Sequence, residues 1–345
     1  MKIKTYLHMM KNLILCLFCC ASVLSCINDE NNLSPLDSRA VCQLDENLTL
    51  LDAPRTLSII DKDNFVITAG DNIIVYGFDG KQKSFFNRKG RGQFEYQMLS
   101  YVRGCDNRIY AWDAGSCKFI EYDESGNGVK EYLYKSAISD FLPYGDKLYI
   151  YNSGKRSKYV VDVFDLRLGI VVDSLVNTTQ SHRLLLTNES SKPMAIKDDA
   201  LYFMPRDAMD IYKYSFDNKK VEKVRSVESE TFKVESVADD GIVGSDFMKA
   251  VKYLFSSSYT LALGVGRHNY TVLTSEGKAE VDNRLQVSNN ELTANYYVIG
   301  NKVKEFSSER NFDIRLAASF SGDIYFIDHS VEEDNDCYTL KVLKD

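Results

Sequence analysis

This 345-residue chain is poor in several residue types. Proline occurs five times and tryptophan once. Beyond residue 26 there are four cysteines (Cys42, Cys105, Cys117 and Cys337) and three histidines (His182, His268 and His329). None of them forms a CxxC or a cysteine–histidine spacing of the kind that binds zinc, so no metal site is expected. Basic residues are also short: 42 Lys and Arg stand against 49 Asp and Glu, a net charge of −7. A generic nucleic-acid binder needs a basic footprint, so nucleic acid is excluded as a partner class. No G-x-S-x-G is present, and the three histidines fall in different parts of the chain, each read as a surface or loop residue. A Ser-His-Asp constellation needs its three roles converging on one face. No cofactor motif survives either. Gly90-Arg91-Gly92 and Gly264-Val265-Gly266 lack the strand–turn–helix setting of a phosphate loop.

Long hydrophobic runs are missing too. The longest, Asn12 to Leu24, is too short to span a bilayer comfortably and has the length of a secretory h-region. Lys2, Lys4 and Lys11 precede it, and no acidic residue occurs before Asp29. Leu24-Ser25-Cys26 resembles the lipobox of bacterial lipoproteins, in which the cysteine is diacylated and becomes the new N-terminus. The resemblance implies a signal peptide over 1–25, a lipid on Cys26, a polar tether over 26–39 and a folded body over 40–345. The membrane is then a partner through the N-terminal lipid, since two or three acyl chains hold far more firmly than one. The alternative is an ordinary signal peptide cut near Ala21. Asp29-Glu30 resembles the acidic export signal of Bacteroidetes surface lipoproteins, so an outer-membrane location is expected, on the periplasmic face or the cell surface. Without residues 1–25 the net charge is −10.

What the chain has in abundance is aromatic residues, 22 Tyr and 18 Phe, and a repeat. The unit is a polar turn, a short alternating strand, a second turn and another strand. Copies begin near Asp63, Asp106, Asp146, Asp198 and Gly322, with a degenerate copy around Tyr259–Gly266. Apolar residues recur with period two, which speaks for strands over helical repeats. Units of roughly 40–50 residues with four strands each mark propeller blades. The expected fold is an all-β, six-bladed β-propeller. Its third blade should run Ala137–Tyr144, Lys147–Asn152, Tyr159–Leu166 and Ile170–Val176. The last copy is one strand short, and the unassigned run Ala40–Leu51 is expected to complete it, pairing with Cys337–Lys344 and removing an exposed edge. Cys42 and Cys337 should then begin antiparallel neighbours and sit at opposite ends. Cys105 and Cys117 are poorly placed for a bridge, so mostly free, buried thiols are expected. Ser245–Ser258 has helical spacing and reads as a short insertion.

This repeat style resembles the TolB-like six-bladed propeller lipoproteins of Bacteroidetes over nearly the whole chain after residue 26. The sharpest element is Arg88-Lys89-Gly90-Arg91-Gly92-Gln93-Phe94-Glu95, which is similar to the Gly-Pro-Gly-Glu-Phe loop between blades in that group and in NHL-type propellers. Gly90, Gly92 and Phe94 match; Arg91 replaces the proline and Gln93 the glutamate. The resemblance implies a lipid-anchored binding or scaffold module and brings no catalytic residues. Arg88, Gly90, Arg91 and Gly92 are the ligand-binding candidates: the loop is basic in an acidic protein, its glycines permit close backbone approach, and it leads towards the channel. An anionic ligand such as an acidic glycan, or a protein partner, is the expectation; arginines paired with acidic neighbours in a structural turn are the alternative. A propeller hydrolase or lyase acting through channel-mouth loops is the competing functional class, and clustered histidine and carboxylate groups at one channel end would favour it.

Overall fold

The computed structural model describes residues 38–44, 53–153, 157–185, 191–230, 232–234, 253–254, 256–267, 270–275, 280–281, 287–288, 294–299, 303–307, 312–332 and 335–343. All lie in the compact unit Pro35–Asp345. Strand β1 (Ser38–Gln43) comes first. The first sheet holds β2–β5 (Pro54–Ile59, Asn64–Ala69, Asn72–Gly77, Gln82–Phe86) and the second β6–β9 (Leu99–Cys105, Arg108–Asp113, Lys118–Asp123, Gly128–Leu133). The third holds β10–β13 (Ile138–Tyr144, Lys147–Asn152, Tyr159–Asp165, Ile170–Asn177). A five-residue helix, α1 (Gln180–Leu184), precedes the fourth, β14–β17 (Met194–Lys197, Ala200–Phe203, Asp210–Ser215, Val221–Ser226). The fifth joins β18 (Tyr259–Val265) and β19 (Tyr270–Ser275) to β22 (Ala294–Ile299) and β23 (Val303–Ser307), with a small pair, β20 (Glu280–Val281) and β21 (Val287–Ser288), inserted between. The sixth is β24 (Phe312–Phe320), β25 (Asp323–Glu332) and β26 (Asn335–Leu343), with β1 added outside β26.

The chain is thus an all-β propeller. The innermost strands β2, β6, β10, β14, β18 and β24 touch one another in cyclic order, so β24 returns to β2. The cores lie between sheets, and the period-two pattern decides which core each side chain joins. On β7, Ile109 and Ala111 pack towards the first sheet while Tyr110 and Trp112 pack towards the third. On β11, Leu148 and Ile150 face the second sheet and Tyr149 and Tyr151 the fourth. Central strands are therefore buried on both faces, and β3 is buried at all six positions. The outer strands β5, β9, β13 and β17 are largely exposed.

The third-sheet strands agree with the repeat reading to within about a residue. The closing strand differs in position. It pairs with β26 from Ser38↔Leu343 to Gln43↔Thr339, so it begins two residues before Ala40 and draws Ser38 and Arg39 out of the tether; residues 45–52 lie outside the described residues. Cys42 is accordingly near the end of β1 and Cys337 near the start of β26, the same end and not opposite ends. Cys42 still faces Leu340, three positions away from Cys337, and both thiols are free. Cys105 and Cys117 are free as well, but the expected burial does not hold: Cys117 is exposed and the other three half-buried. Asp113 lies opposite Lys118, so Cys117 falls within the β7–β8 turn, at φ 52°. Cys26, and most of the helical spacing in Ser245–Ser258, lie outside the described residues.

Candidate functional site: a cavity in the channel

The inner strands enclose a cavity of about 500 Å³, within the size range of small-molecule sites. Its walls come from the second halves of these strands and the hairpins that follow. Leu57–Ile60, Leu142, Pro143, Met194–Ile196, Ala262–Gly264 and Ala317–Phe320 make it largely apolar.

Three charged side chains form its buried end. Arg103, 3% exposed, pairs with Asp140, and its Nη1 donates to the Val102 carbonyl at 2.9 Å. Asp140 Oδ1 also accepts the Phe141 N–H at 2.8 Å. Lys192 reaches across the ring: its Nζ donates to the carbonyls of Leu57 at 2.7 Å and Ala317 at 2.5 Å, on the first and sixth sheets. Asp140 Oδ2 is buried and has no hydrogen-bond partner among the described residues. Burial pushes the Asp140 carboxyl above its ordinary range, against the pull of Arg103 and Lys192. The ion pair fixes the carboxylate without satisfying it, and an unsatisfied buried acceptor carries its desolvation cost in full, about 1–3 kcal/mol.

The other end opens at the hairpins, where Asp106, Asp198, Asp199 and Ser321 are exposed. The three aspartates sit at positive φ of 47–52°, in two-residue turns that favour Asp and Asn. Tyr144 donates its hydroxyl to Asp199, and its ring packs on Phe216 at 4.4 Å. Lys197 Nζ donates to the carbonyls of Gly266 and Arg267, both at 2.7 Å. Cys105 lines the same end, and burial, with the neighbouring Asp106 adding, pushes its thiol up to about 12, which leaves it a poor nucleophile.

A second buried polar group lies near the floor. Burial pushes the Tyr101 hydroxyl up to about 12, with Asp140 adding and Arg206 and Arg103 opposing. Arg206 is 1% exposed; its backbone N–H donates to His182 Nδ1 at 2.9 Å and its Nη1 to the Thr260 carbonyl at 3.2 Å. His182 is fully buried, which corrects its reading as a surface or loop residue. The reason is α1: Thr179 caps this helix by accepting the His182 N–H at 2.9 Å, and His182 is one of its two buried residues. Burial, with Arg206 and Arg183 nearby, holds the ring down to about 3, so it is neutral at physiological pH. His329 also lies in a strand, β25, stacked on Tyr338 at 4.8 Å; His268 is outside the described residues.

The sequence candidates lie elsewhere. The loop carrying Arg88, Gly90, Arg91 and Gly92 leads into Leu99, the start of β6, whereas the cavity uses the far end of that strand; none of the four lines it. Arg88 Nε and Nη2 donate to the Gly126 carbonyl at 3.2 and 3.0 Å, tying the loop to the second sheet. Glu95 folds back over the glycines, accepting the Gly92 N–H at 2.6 Å, and a Cβ on Gly90 would meet its carboxylate at 2.0 Å. Phe94 N–H donates to Glu131 at 2.8 Å. Arg91 is exposed. Among the described residues no group of three His, Cys, Asp or Glu side chains is arranged to hold a metal. Sequence reasoning missed Arg103, Asp140 and Lys192. The available signal was a lone charge at Arg103 and at Asp140 inside otherwise apolar first strands of a repeat.

No protein-family model and no curated protein sequence matches the chain. Solved structures do resemble it. The exported-protein candidate BF0058 from Bacteroides fragilis superposes with a TM-score of 0.64 at 15% identity, covering 92% of this chain and 98% of that one. A member of the DUF4221 family from Bacteroides vulgatus gives 0.60 at 9% identity, covering 89% and 97%. At such identities the likeness establishes a shared propeller fold.

Proposed function

We propose that the chain is a lipid-anchored cell-envelope binding module, a six-bladed propeller that takes a small molecule into its channel cavity. Asp140 carries this reading: a fully buried carboxylate, held by Arg103, that lines a cavity of small-molecule size and whose second oxygen lacks a partner among the described residues. Six four-stranded sheets with cyclic inner contacts support the blade count, and the lipobox-like Leu24-Ser25-Cys26 supports the anchor. In the hydrolase or lyase alternative, the cavity would need a nucleophile and a base; the described lining has no histidine, and its one buried aspartate, Asp140, is ion-paired.

Two measurements test this. The melting temperature of the chain from residue 26 onward is recorded against a library of sugars, amino acids, carboxylates and amines. A ligand at 100 times its Kd stabilises by about 2.7 kcal/mol, a shift of several degrees. At least one such shift is expected, and it should vanish in Ala317→Phe, which fills the cavity from β24; a library without any stabiliser refutes the cavity reading. For the anchor, Cys26→Ser is expected to move the protein from the membrane to the soluble fraction, and retention on the membrane with acyl label would overturn it.

A further inference from the structure

The two ends of the cavity carry opposite fields. The described mouth has three carboxylates, Asp106, Asp198 and Asp199, against one ammonium, Lys197. Lys197 is drawn towards carbonyl oxygens of the fifth sheet, 3.7 Å from Asp198. The floor reverses the sign: Arg103 and Lys192 against Asp140 alone, all at most 9% exposed. Charges of one sign in a narrow, low-dielectric opening act on whatever enters. A free anion meets repulsion at the mouth. A free cation passes the mouth and meets two buried cations at the floor. A neutral ligand crosses both without penalty.

The floor also specifies which neutral group suits it. Asp140 Oδ2 needs a donor, while Arg103 and Lys192 beside it favour an electron-rich atom. A hydroxyl meets both demands, because it donates one hydrogen and offers two lone pairs. The walls are largely apolar and include the aliphatic side chains of Leu57, Ile59, Leu142, Ile196, Leu263 and Ile324. They suit a ligand that alternates hydroxyls with C–H faces. Resting on the proposed binding role of the cavity, we infer that its ligand is a neutral, multiply hydroxylated small molecule of mono- or disaccharide size, bound with a hydroxyl donating to Asp140 Oδ2 at the channel floor.

The test is calorimetric titration with glucose, galactose, mannose, N-acetylglucosamine, maltose and cellobiose. Glucosamine serves as the cationic analogue and glucuronate as the anionic one. At least one neutral sugar is expected to bind saturably, at least tenfold tighter than either charged analogue. Asp140→Asn should weaken it at least tenfold and Ala317→Phe should abolish it. Because Asp140→Asn breaks the pair with Arg103, its fold is checked by circular dichroism. If it does not fold, the neutral-to-charged ratio and Ala317→Phe decide the matter. Tighter binding of a charged analogue, or sugar binding unaffected by Ala317→Phe, overturns the inference. If no neutral sugar binds but an amine, carboxylate or amino acid stabilises the wild type and not Ala317→Phe, the hydroxyl inference falls and the cavity reading stands. If nothing stabilises the protein, both fall.

Discussion

His182 shows how one buried side chain sets the acid response of its surroundings. The Arg206 N–H donates to Nδ1, so the ring proton sits on Nε2, and Nε2 has no partner among the described residues. The folded chain holds the ring near 3, while an unfolded chain titrates at the ordinary histidine value of 6.5. As pH falls below 6.5 the unfolded state takes up a proton that the folded state refuses. The stability conferred by the neutral ring is present above 6.5 and lost on acidification, by about 2 kcal/mol between pH 6.5 and 4.5. In His182→Asn the amide oxygen can still accept the Arg206 N–H. The variant is expected to melt lower than wild type at pH 7 and to lose less on acidification. Denaturant titrations at pH 6.5 and 4.5 measure this, and an equal acid loss in both proteins would rule out His182 as the sensitive group.

At the scale of elements, the first sheet and the closing strand are interlocked. Gly80 sits in the β4–β5 turn at φ 80°, and a Cβ there would lie 2.0 Å from the Gln43 carbonyl oxygen on β1. Gly80→Ala is therefore opposed twice, by a left-handed backbone costing about 1–3 kcal/mol and by collision with main chain that cannot swing aside. The expected result is a lower melting temperature with faster amide exchange across Ser38–Gln43 than in the rest of the sixth sheet. Uniform exchange changes would show that the contact is not specific to β1. Much of this level was legible in the residues. The turns Asp106-Asn107, Gly145-Asp146 and Asp198-Asp199 announced hairpins because few other residues tolerate positive φ, and alternation between them marked strands. The cavity was not legible. Arg103 and Asp140 are single charges in different repeats, and they become neighbours only when adjacent inner strands pack. The Arg88–Phe94 loop attracted attention by its charge, but charge does not reveal which end of β6 a loop serves. His182 was hidden because α1 is one short turn without hydrophobic periodicity.

For the whole molecule, the pairing of Ser38 with Leu343 has a kinetic consequence. Strand β1 cannot find its partner until β26 has been synthesised, and contacts so distant in sequence slow folding because loop-closure entropy precedes the reward. Leu343 and Ser38 are directly opposed on antiparallel strands, so a short turn can join them. A circular permutant that begins at residue 53 and appends residues 38–44 after β26 converts this pairing into a local hairpin. It should refold several-fold faster than the natural order, with a similar unfolding rate, in stopped-flow measurements. Equal refolding rates would place the slow step elsewhere. In the natural order the ring stays open while β1 waits for β26, and through that interval β1 offers unpaired backbone donors and acceptors to any other strand. Late closure thus prolongs the time in which a nascent chain can pair wrongly, and the permutant would shorten it.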